Sequence, residues 1–216
     1  MRCIMESLIR QINEVINTAE NRIFIAISGH GASGKTSFAK KLFDSLDADY
    51  NFLNTDTYII EGHHLGNTYA EYRVDGADSA FKITACMPIR HELNSLSRDI
   101  KVLKNGGTIT TIDKPWDAEK VLYGSRKVTI IEGMSAAFLA DFDFDLSVYF
   151  YTDSETELER RKKRDVKQRG RNLEALIKAQ KHRRNQYDLF MHPLSEKFDV
   201  IVDYSNNEFN IIKSNL

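Results

Sequence analysis

A strand-like apolar run that leads directly into a glycine-rich loop limits what this chain can become. Ile23-Phe24-Ile25-Ala26-Ile27 is short, continuous and rich in β-branched residues, the pattern of a strand buried on both faces of a parallel sheet. Gly29-His30-Gly31-Ala32-Ser33-Gly34-Lys35-Thr36 follows and fits G-x-x-x-x-G-K-[ST], the phosphate-binding P-loop. Phe38, Ala39, Leu42, Phe43 and Leu46 then recur at helical spacing, so the local order is strand, glycine loop, helix. Backbone N–H groups of Gly29, Gly31, Ala32, Ser33 and Gly34 can wrap a polyphosphate, and the helix start at Lys35, Thr36 and Ser37 adds its positive dipole end. Lys35 is expected to neutralise the β and γ phosphates of ATP, and the Thr36 hydroxyl to ligate Mg²⁺.

Gly29, Gly31 and Gly34 also satisfy G-x-G-x-x-G, with Asp56 about 20 residues further on, as in a dinucleotide-binding fingerprint. Lys35-Thr36 separates the two readings, because a dinucleotide loop holds its pyrophosphate on backbone amides and needs no cation or metal-binding hydroxyl there.

The remaining segments alternate strands with helices. Ile4, Leu8, Ile12, Val15 and Ile16 make residues 4–19 an amphipathic helix, and Glu6, Arg10 and Glu14 break any signal-type apolar stretch. Tyr50 to Asn54 reads as a second strand, and residues 58–80, without clear periodicity, as a functional loop region. Pro88 is expected to open a helix carrying Ile89, Leu93, Leu96, Ile100 and Leu103, ended by Asn105-Gly106-Gly107. A hairpin insertion over 108–123 surrounds Pro115-Trp116. Core strands are expected at 128–131, 146–150 and 198–202, with a short helical segment at 136–140 and a lid plus following helix over 155–187. The sum is an α/β three-layer fold with a mainly parallel sheet, as one domain over residues 1–216.

Charge narrows the partners. With 30 Lys+Arg against 31 Asp+Glu the formal net charge is −1, so no whole-protein field draws this chain to nucleic acid or an anionic membrane, and no segment is long enough to span a bilayer. Cys3 and Cys86 are too few for a disulfide framework, which points to packing roles and a reducing, cytoplasmic setting.

Two acids and one basic segment complete the candidate site. Asp56 follows the strand after the glycine-loop helix, the place in an open α/β sheet that faces a bound γ-phosphate, where a carboxylate can take a proton from an attacking alcohol and touch Mg²⁺. Glu132 closes an apolar strand as a Walker B acid does. Arg160 to Arg171 concentrates cations without interleaved aromatics, which suits a lid closing arginines over phosphates better than a nucleic-acid surface.

These residues together resemble the uridine kinase and phosphoribulokinase branch of P-loop small-molecule kinases, from about Ile23 to Asp203. The likeness rests on the loop at 29–36, Asn54-Thr55-Asp56-Thr57-Tyr58, Ile130-Ile131-Glu132-Gly133, and a lid-like Arg160-Arg161-x-x-Arg164-Asp165-x-x-x-Arg169-Gly170-Arg171. The resemblance implies that Asp56 is the general base for a sugar hydroxyl. It also implies that Arg161, Arg164, Arg169 and Arg171 surround phosphates or acceptor, and that Tyr58 and Asp75 bind substrate. It further implies ATP and Mg²⁺ as cofactors, a small nucleoside-like or sugar-like acceptor, and a homo-oligomer. The family's Pro-x-Tyr-Asp-Phe stretch and its pyrimidine-reading histidine are replaced by Lys114-Pro115-Trp116-Asp117-Ala118, with Trp116 near the tyrosine position as a stacking candidate. Pantothenate, nicotinamide riboside, ribulose phosphate and glycerate therefore stand beside uridine as acceptors. An ATPase switch or nucleotide-binding regulator is the reading from another class. His30, His63 and His64 receive no role.

Overall fold

The computed structural model describes residues 2–47, 49–65, 68–139, 143–168, 170 and 172–216. Strand β1 (Ile23–Gly29) runs through the middle of a six-stranded sheet, fully buried along its length. Its neighbours are β7 (Val128–Glu132) and β8 (Leu146–Tyr151); β2 (Tyr50–Asn54) lies outside β7, and β9 (Val200–Asp203) outside β8. All of these pair in parallel, and β10 (Asn210–Ser214) closes one edge antiparallel to β9.

The period of two along β1 sorts its side chains between two cores. Ile23, Ile25 and Ile27 join one cluster with Leu8, Ile12 and Ile16 of α1 (Arg2–Thr18) and Phe38 and Leu42 of α2 (Lys35–Phe43). Phe24, with Leu53 and Ile131, joins the other, against Leu96, Ile100 and Leu103 of α3 (Leu93–Lys104). Each such aliphatic side chain removed from water stabilises the fold by about 1.5–3 kcal/mol, so the helices are fixed to both faces of the sheet. The result is the expected three-layer α/β arrangement.

Several elements differ from the sequence expectation. The helix expected from Pro88 begins at Leu93, and Pro88–Arg90 is a separate 3₁₀ turn that leaves Ile89 61% exposed. Backbone bonds from Ile60 N to the Arg90 carbonyl and from Glu92 N to the Tyr58 carbonyl hold this stretch extended, which delays the helix. The helical segment placed at 136–140 is a single 3₁₀ turn, Ser135–Phe138. Residues 58–80 are not mainly loop: β3 (Tyr69–Val74) and β4 (Ala77–Lys82) form a hairpin whose turn residues Asp75 and Gly76 have φ of 52° and 80°. Two positive φ values make this the type I′ geometry that suits strand twist and favours Asp-Gly. The hairpin expected around Pro115-Trp116 is present as β5 (Thr108–Thr110) and β6 (Val121–Tyr123). The basic region consists of α4 (Ser154–Arg161), a π-helical stretch Lys162–Gln168, and α5 (Leu173–Gln186). Asp153 and Asn172 cap the two α-helices by accepting from Thr156 N and Ala175 N.

Candidate active site

Sheet register assembles the site. Ile27 of β1 and Asn54 of β2 both pair with Glu132, so the carboxyl ends of three strands lie in one row. The glycine loop leaves β1 just beyond that row, and Asp56 lies two residues beyond Asn54. A cleft of about 1040 Å³ opens there, at the strand ends where open α/β sheets bind ligands, with Gly31, Ala32, Gly34, Lys35, Thr36 and Ser37 along its glycine-loop wall.

At this end a lysine, a hydroxyl and a carboxylate converge. Thr36 Oγ1 donates to Glu132 Oε1 at 3.0 Å, and Lys35 Nζ lies 4.0 Å from the same oxygen. Burial pushes the Glu132 carboxyl up to about 7, against the opposing pull of Lys35 and the Thr36 hydrogen bond. Among the described residues no three His, Cys, Asp or Glu side chains form a metal cage. That donor set fits Mg²⁺, which binds through one or two protein oxygens and completes its shell with phosphates and water. Ser33 Oγ, buried without a hydrogen-bond partner among the described residues, marks the same loop as built to receive a polar ligand.

The basic segment is packed onto the loop. Arg161 is buried, with its guanidinium so close over Gly31 that a Cβ there would lie 2.6 Å from Nη2. Its Nε donates to Glu157 Oε1 at 2.7 Å, and Nη1 lies 3.6 Å from Asp165 Oδ2. Arg164 also lines the cleft and donates to Asp165 Oδ1 at 2.7 Å. Burial pushes the Glu157 carboxyl up, but His30, Arg161 and Arg183 around it outweigh that and hold it below the usual carboxylate range. His30 joins loop and lid: its Nε2 accepts from Thr152 N at 2.9 Å, which leaves Nδ1–H to donate to the Gly31 carbonyl at 3.0 Å, 3.8 Å from Glu157 Oε2. Burial holds its pKa at about 4, so the ring is neutral.

Asp56 is seated from below. Its Oδ1 accepts from Met134 N at 2.7 Å and its own N–H donates to Asn54 Oδ1 at 3.0 Å. Gly133, with φ of 140°, permits this approach, since a Cβ there would lie 2.4 Å from Thr55 Oγ1 and 2.8 Å from Asp56 Oδ1.

A sequence profile of the phosphoribulokinase / uridine kinase family matches residues 24–208. The chain belongs to that family. Among curated proteins, it is 23% identical over 218 residues to the chloroplastic phosphoribulokinase of Arabidopsis thaliana, covering 90% of this chain and 52% of the relative. It thus spans about half that relative's length. It is also 27% identical over 188 residues to the uridine kinase of Staphylococcus carnosus, covering 82% of this chain and 85% of the relative. The crystal structure of phosphoribulokinase from Rhodobacter spheroides shares the fold at a TM-score of 0.60, with 13% identity over 86% of this chain and 71% of that one.

Within this family frame the geometry sorts the other candidates. Trp116 lines the cleft and is 60% exposed. Its tight turn is closed by reciprocal backbone bonds between Lys114 and Asp117, and tied to the floor where Asn54 Nδ2 donates to Asp117 Oδ2 at 2.8 Å. Tyr58, expected to bind substrate, is instead buried in the α3 core and donates to Asp99 Oδ2 at 2.7 Å. Asp75, with the same expectation, stands exposed on the β3–β4 turn, outside the cleft lining. Its backbone conformation supplies the reason for an Asp there. Arg169 and Arg171 lie outside the described residues. His63 and His64 are on an exposed 3₁₀ turn, and the 3.5 Å contact from His63 Nδ1 to Glu61 Oε2 is a surface pair. Cys86 is buried, as expected, but also borders the cleft, and burial pushes its thiol up to about 11. No helix among the described residues is long and apolar enough to cross a membrane.

Sequence reasoning had Arg160 only as part of the lid-like basic run and did not find Tyr204, Asn207, Arg90 or Arg183 as cleft residues. Arg160 lies 4.4 Å over the Tyr204 ring and donates to the Tyr204 carbonyl at 2.7 Å and the Ala32 carbonyl at 3.3 Å. Arg160, Arg183, Tyr204 and Asn207 come from segments over a hundred positions from the loop and Arg90 from one over fifty positions away, so spacing carries no signal of their meeting.

Proposed function

We propose that this protein transfers the γ-phosphoryl group of ATP to a hydroxyl of a small acceptor. The observation that carries the reading is a single cleft that holds the Lys35–Thr36–Glu132 constellation on one side and a backbone-anchored Asp56 on the other. The glycine-loop amides and Lys35 hold the terminal phosphates, with Arg161 and Arg164 supplying positive charge from the lid. Thr36 and Glu132 would hold Mg²⁺, which supplies neutralisation of phosphate charge when bound. Asp56 orients the acceptor hydroxyl and takes its proton as the oxygen bonds to the γ phosphorus and the bond to the ADP oxygen breaks. With Oδ1 engaged by Met134 N–H, Oδ2 is the oxygen left to receive that proton.

A base and arginines in the same chain support transfer to a bound acceptor rather than a switch that borrows an arginine from a partner. The test is ADP formation from Mg-ATP across nucleosides, pantothenate, glycerate and sugar phosphates. Asp56→Asn is expected to keep nucleotide affinity and to lose acceptor-dependent turnover by about 10²–10⁴-fold. ADP release that is independent of any acceptor and unchanged in the variant would overturn the assignment in favour of an ATPase.

A further inference from the structure

Among the described residues of the lid and the helix after it, three arginines are paired with carboxylates. Arg161 pairs with Glu157 and Asp165, Arg164 with Asp165, and Arg184 with Asp188 at 3.0 Å. Arg160 has no carboxylate in ion-pair contact among the described residues, but its guanidinium donates to the Tyr204 and Ala32 carbonyls and lies over the Tyr204 ring, whereas two other cleft-lining guanidiniums each keep a buried nitrogen without a partner. The Arg183 guanidinium makes no hydrogen bond or ion pair among the described residues; its Nη1 is buried without a partner, and Glu157 and Asp165 act on it only at a distance. Arg90 has a buried, unpartnered Nε and no carboxylate in ion-pair contact among the described residues, with one weak bond from Nη1 to the Ile83 carbonyl at 3.3 Å. Partial burial lowers both, Arg183 to about 10, where the nearby Arg161 adds to the effect and Glu157 and Asp165 offset it only in part.

Both border the Ile83–Cys86 wall of the cleft, and that wall is rigid. Gln186 Oε1 accepts from Thr84 N at 2.9 Å and from Thr84 Oγ1 at 2.8 Å, while its Nε2 donates to the Lys82 carbonyl at 3.1 Å. His91 Nε2 donates to the Ala85 carbonyl at 2.9 Å. Among the described residues the carboxylates lining the cleft are Asp56 and Glu132, both at the phosphoryl-transfer end. A half-buried guanidinium with a buried N–H left unpartnered is costly, and a carboxylate or phosphate removes the cost with paired N–H···O bonds.

We propose that Arg90 and Arg183 form an anion-binding subsite, so that the acceptor is a small hydroxylated molecule carrying a carboxylate or phosphate rather than a neutral nucleoside. This rests on the phosphotransfer reading for its role in turnover, but binding tests it separately.

Equilibrium binding to the Mg-ADP complex, in which the nucleotide phosphates already occupy the glycine loop, is measured by calorimetry for matched probes: glycerate against glycerol, ribose 5-phosphate against ribose, and uridine alone. At least one anionic probe is expected to bind ten-fold or more tighter than its neutral counterpart. Arg90→Gln and Arg183→Gln should each weaken it by about 30-fold or more while leaving ADP affinity within two-fold, and Arg→Lys should restore part of the loss. Glycerate and ribose 5-phosphate then tell a carboxylate acceptor from a phosphorylated one. The inference is overturned if neutral probes or uridine bind as tightly as the anions, if no anion binds, or if the glutamine variants bind the anions as the wild type does. Anion-selective binding without acceptor-dependent ADP formation would sink the kinase reading and leave the subsite standing. Turnover of neutral acceptors without anion preference would do the reverse.

Discussion

Gly133→Ala tests whether the seat under Asp56 is as tight as the geometry requires. The residue has φ of 140°, where an L side chain costs about 1–3 kcal/mol. The added methyl would stand 2.4 Å from Thr55 Oγ1, 2.8 Å from Asp56 Oδ1 and 2.9 Å from Asp56 N. Ordinary carbon–oxygen contact begins near ~3.4 Å, so Asp56 must retreat by roughly 0.5–1 Å, which also stretches its bond to Met134 N. A misplacement of about 1 Å costs about 10²-fold in rate, whereas the three atoms nearest the new methyl belong to Thr55 and Asp56 and none to the glycine loop. Expected outcomes are turnover down about 100-fold, ATP affinity within about three-fold, and a melting temperature lower by about 4–16 °C, from about 2–4 kcal/mol at 2–4 °C per kcal/mol for a chain of this size. The assays are steady-state ADP release with the best acceptor, nucleotide titration, and thermal unfolding. Turnover within two-fold of wild type would refute the claim that Gly133 sets the position of Asp56.

Glu157→Gln should lower stability by about 3–5 kcal/mol in urea unfolding, because Arg161 at 2.7 Å and Arg184 at 3.7 Å would lose their buried counter-charge; a loss under 1 kcal/mol would show that Asp165 and Asp188 compensate them. Tyr58→Phe should destabilise by about 1–3 kcal/mol, leaving Asp99 short of a buried partner, with the acceptor KM unchanged. A raised acceptor KM at intact stability would return Tyr58 to the binding site. Acid dependence follows from His30 and His91, both held at about 4 by burial, against an unfolded value near ~6.5. Between those values the unfolded chain binds protons that the folded one refuses, so their contribution is complete above pH 6.5 and is lost as pH falls toward 4. Glu132, raised to about 7, opposes this with one proton, leaving a net loss of about 1.4 kcal/mol per pH unit. His30→Asn should flatten the decline in denaturation curves at pH 7 and pH 5, and an unchanged slope would contradict a neutral buried ring.

Legibility in the sequence followed the range of the forces involved. β1, α2 and the glycine loop are specified by residues adjacent in the chain, and their order could be read directly. Asp75-Gly76 carried an equally local signal, but Tyr69 to Lys82 packs no continuous apolar face and its alternation is weak, so the turn chemistry was the better guide. β10 is an exposed edge strand completed by its bonds to β9, which one-dimensional pattern cannot supply. Tyr58 illustrates the opposite failure: proximity to a base suggested a ligand contact, whereas its side chain points into the α3 core. The roles of Arg90 and Arg183 depend on which arginines keep a buried nitrogen without a partner, a fact that only the folded arrangement contains.

Trp116 is the chain's single tryptophan, and its turn holds it at the mouth of the cleft. Any molecule that settles against its exposed ring displaces water from the only indole in the protein. Its intrinsic fluorescence therefore reports on cleft occupancy without a label, with an emission shift on ligand binding that disappears in Trp116→Phe, and it gives millisecond access to the order in which nucleotide and acceptor arrive.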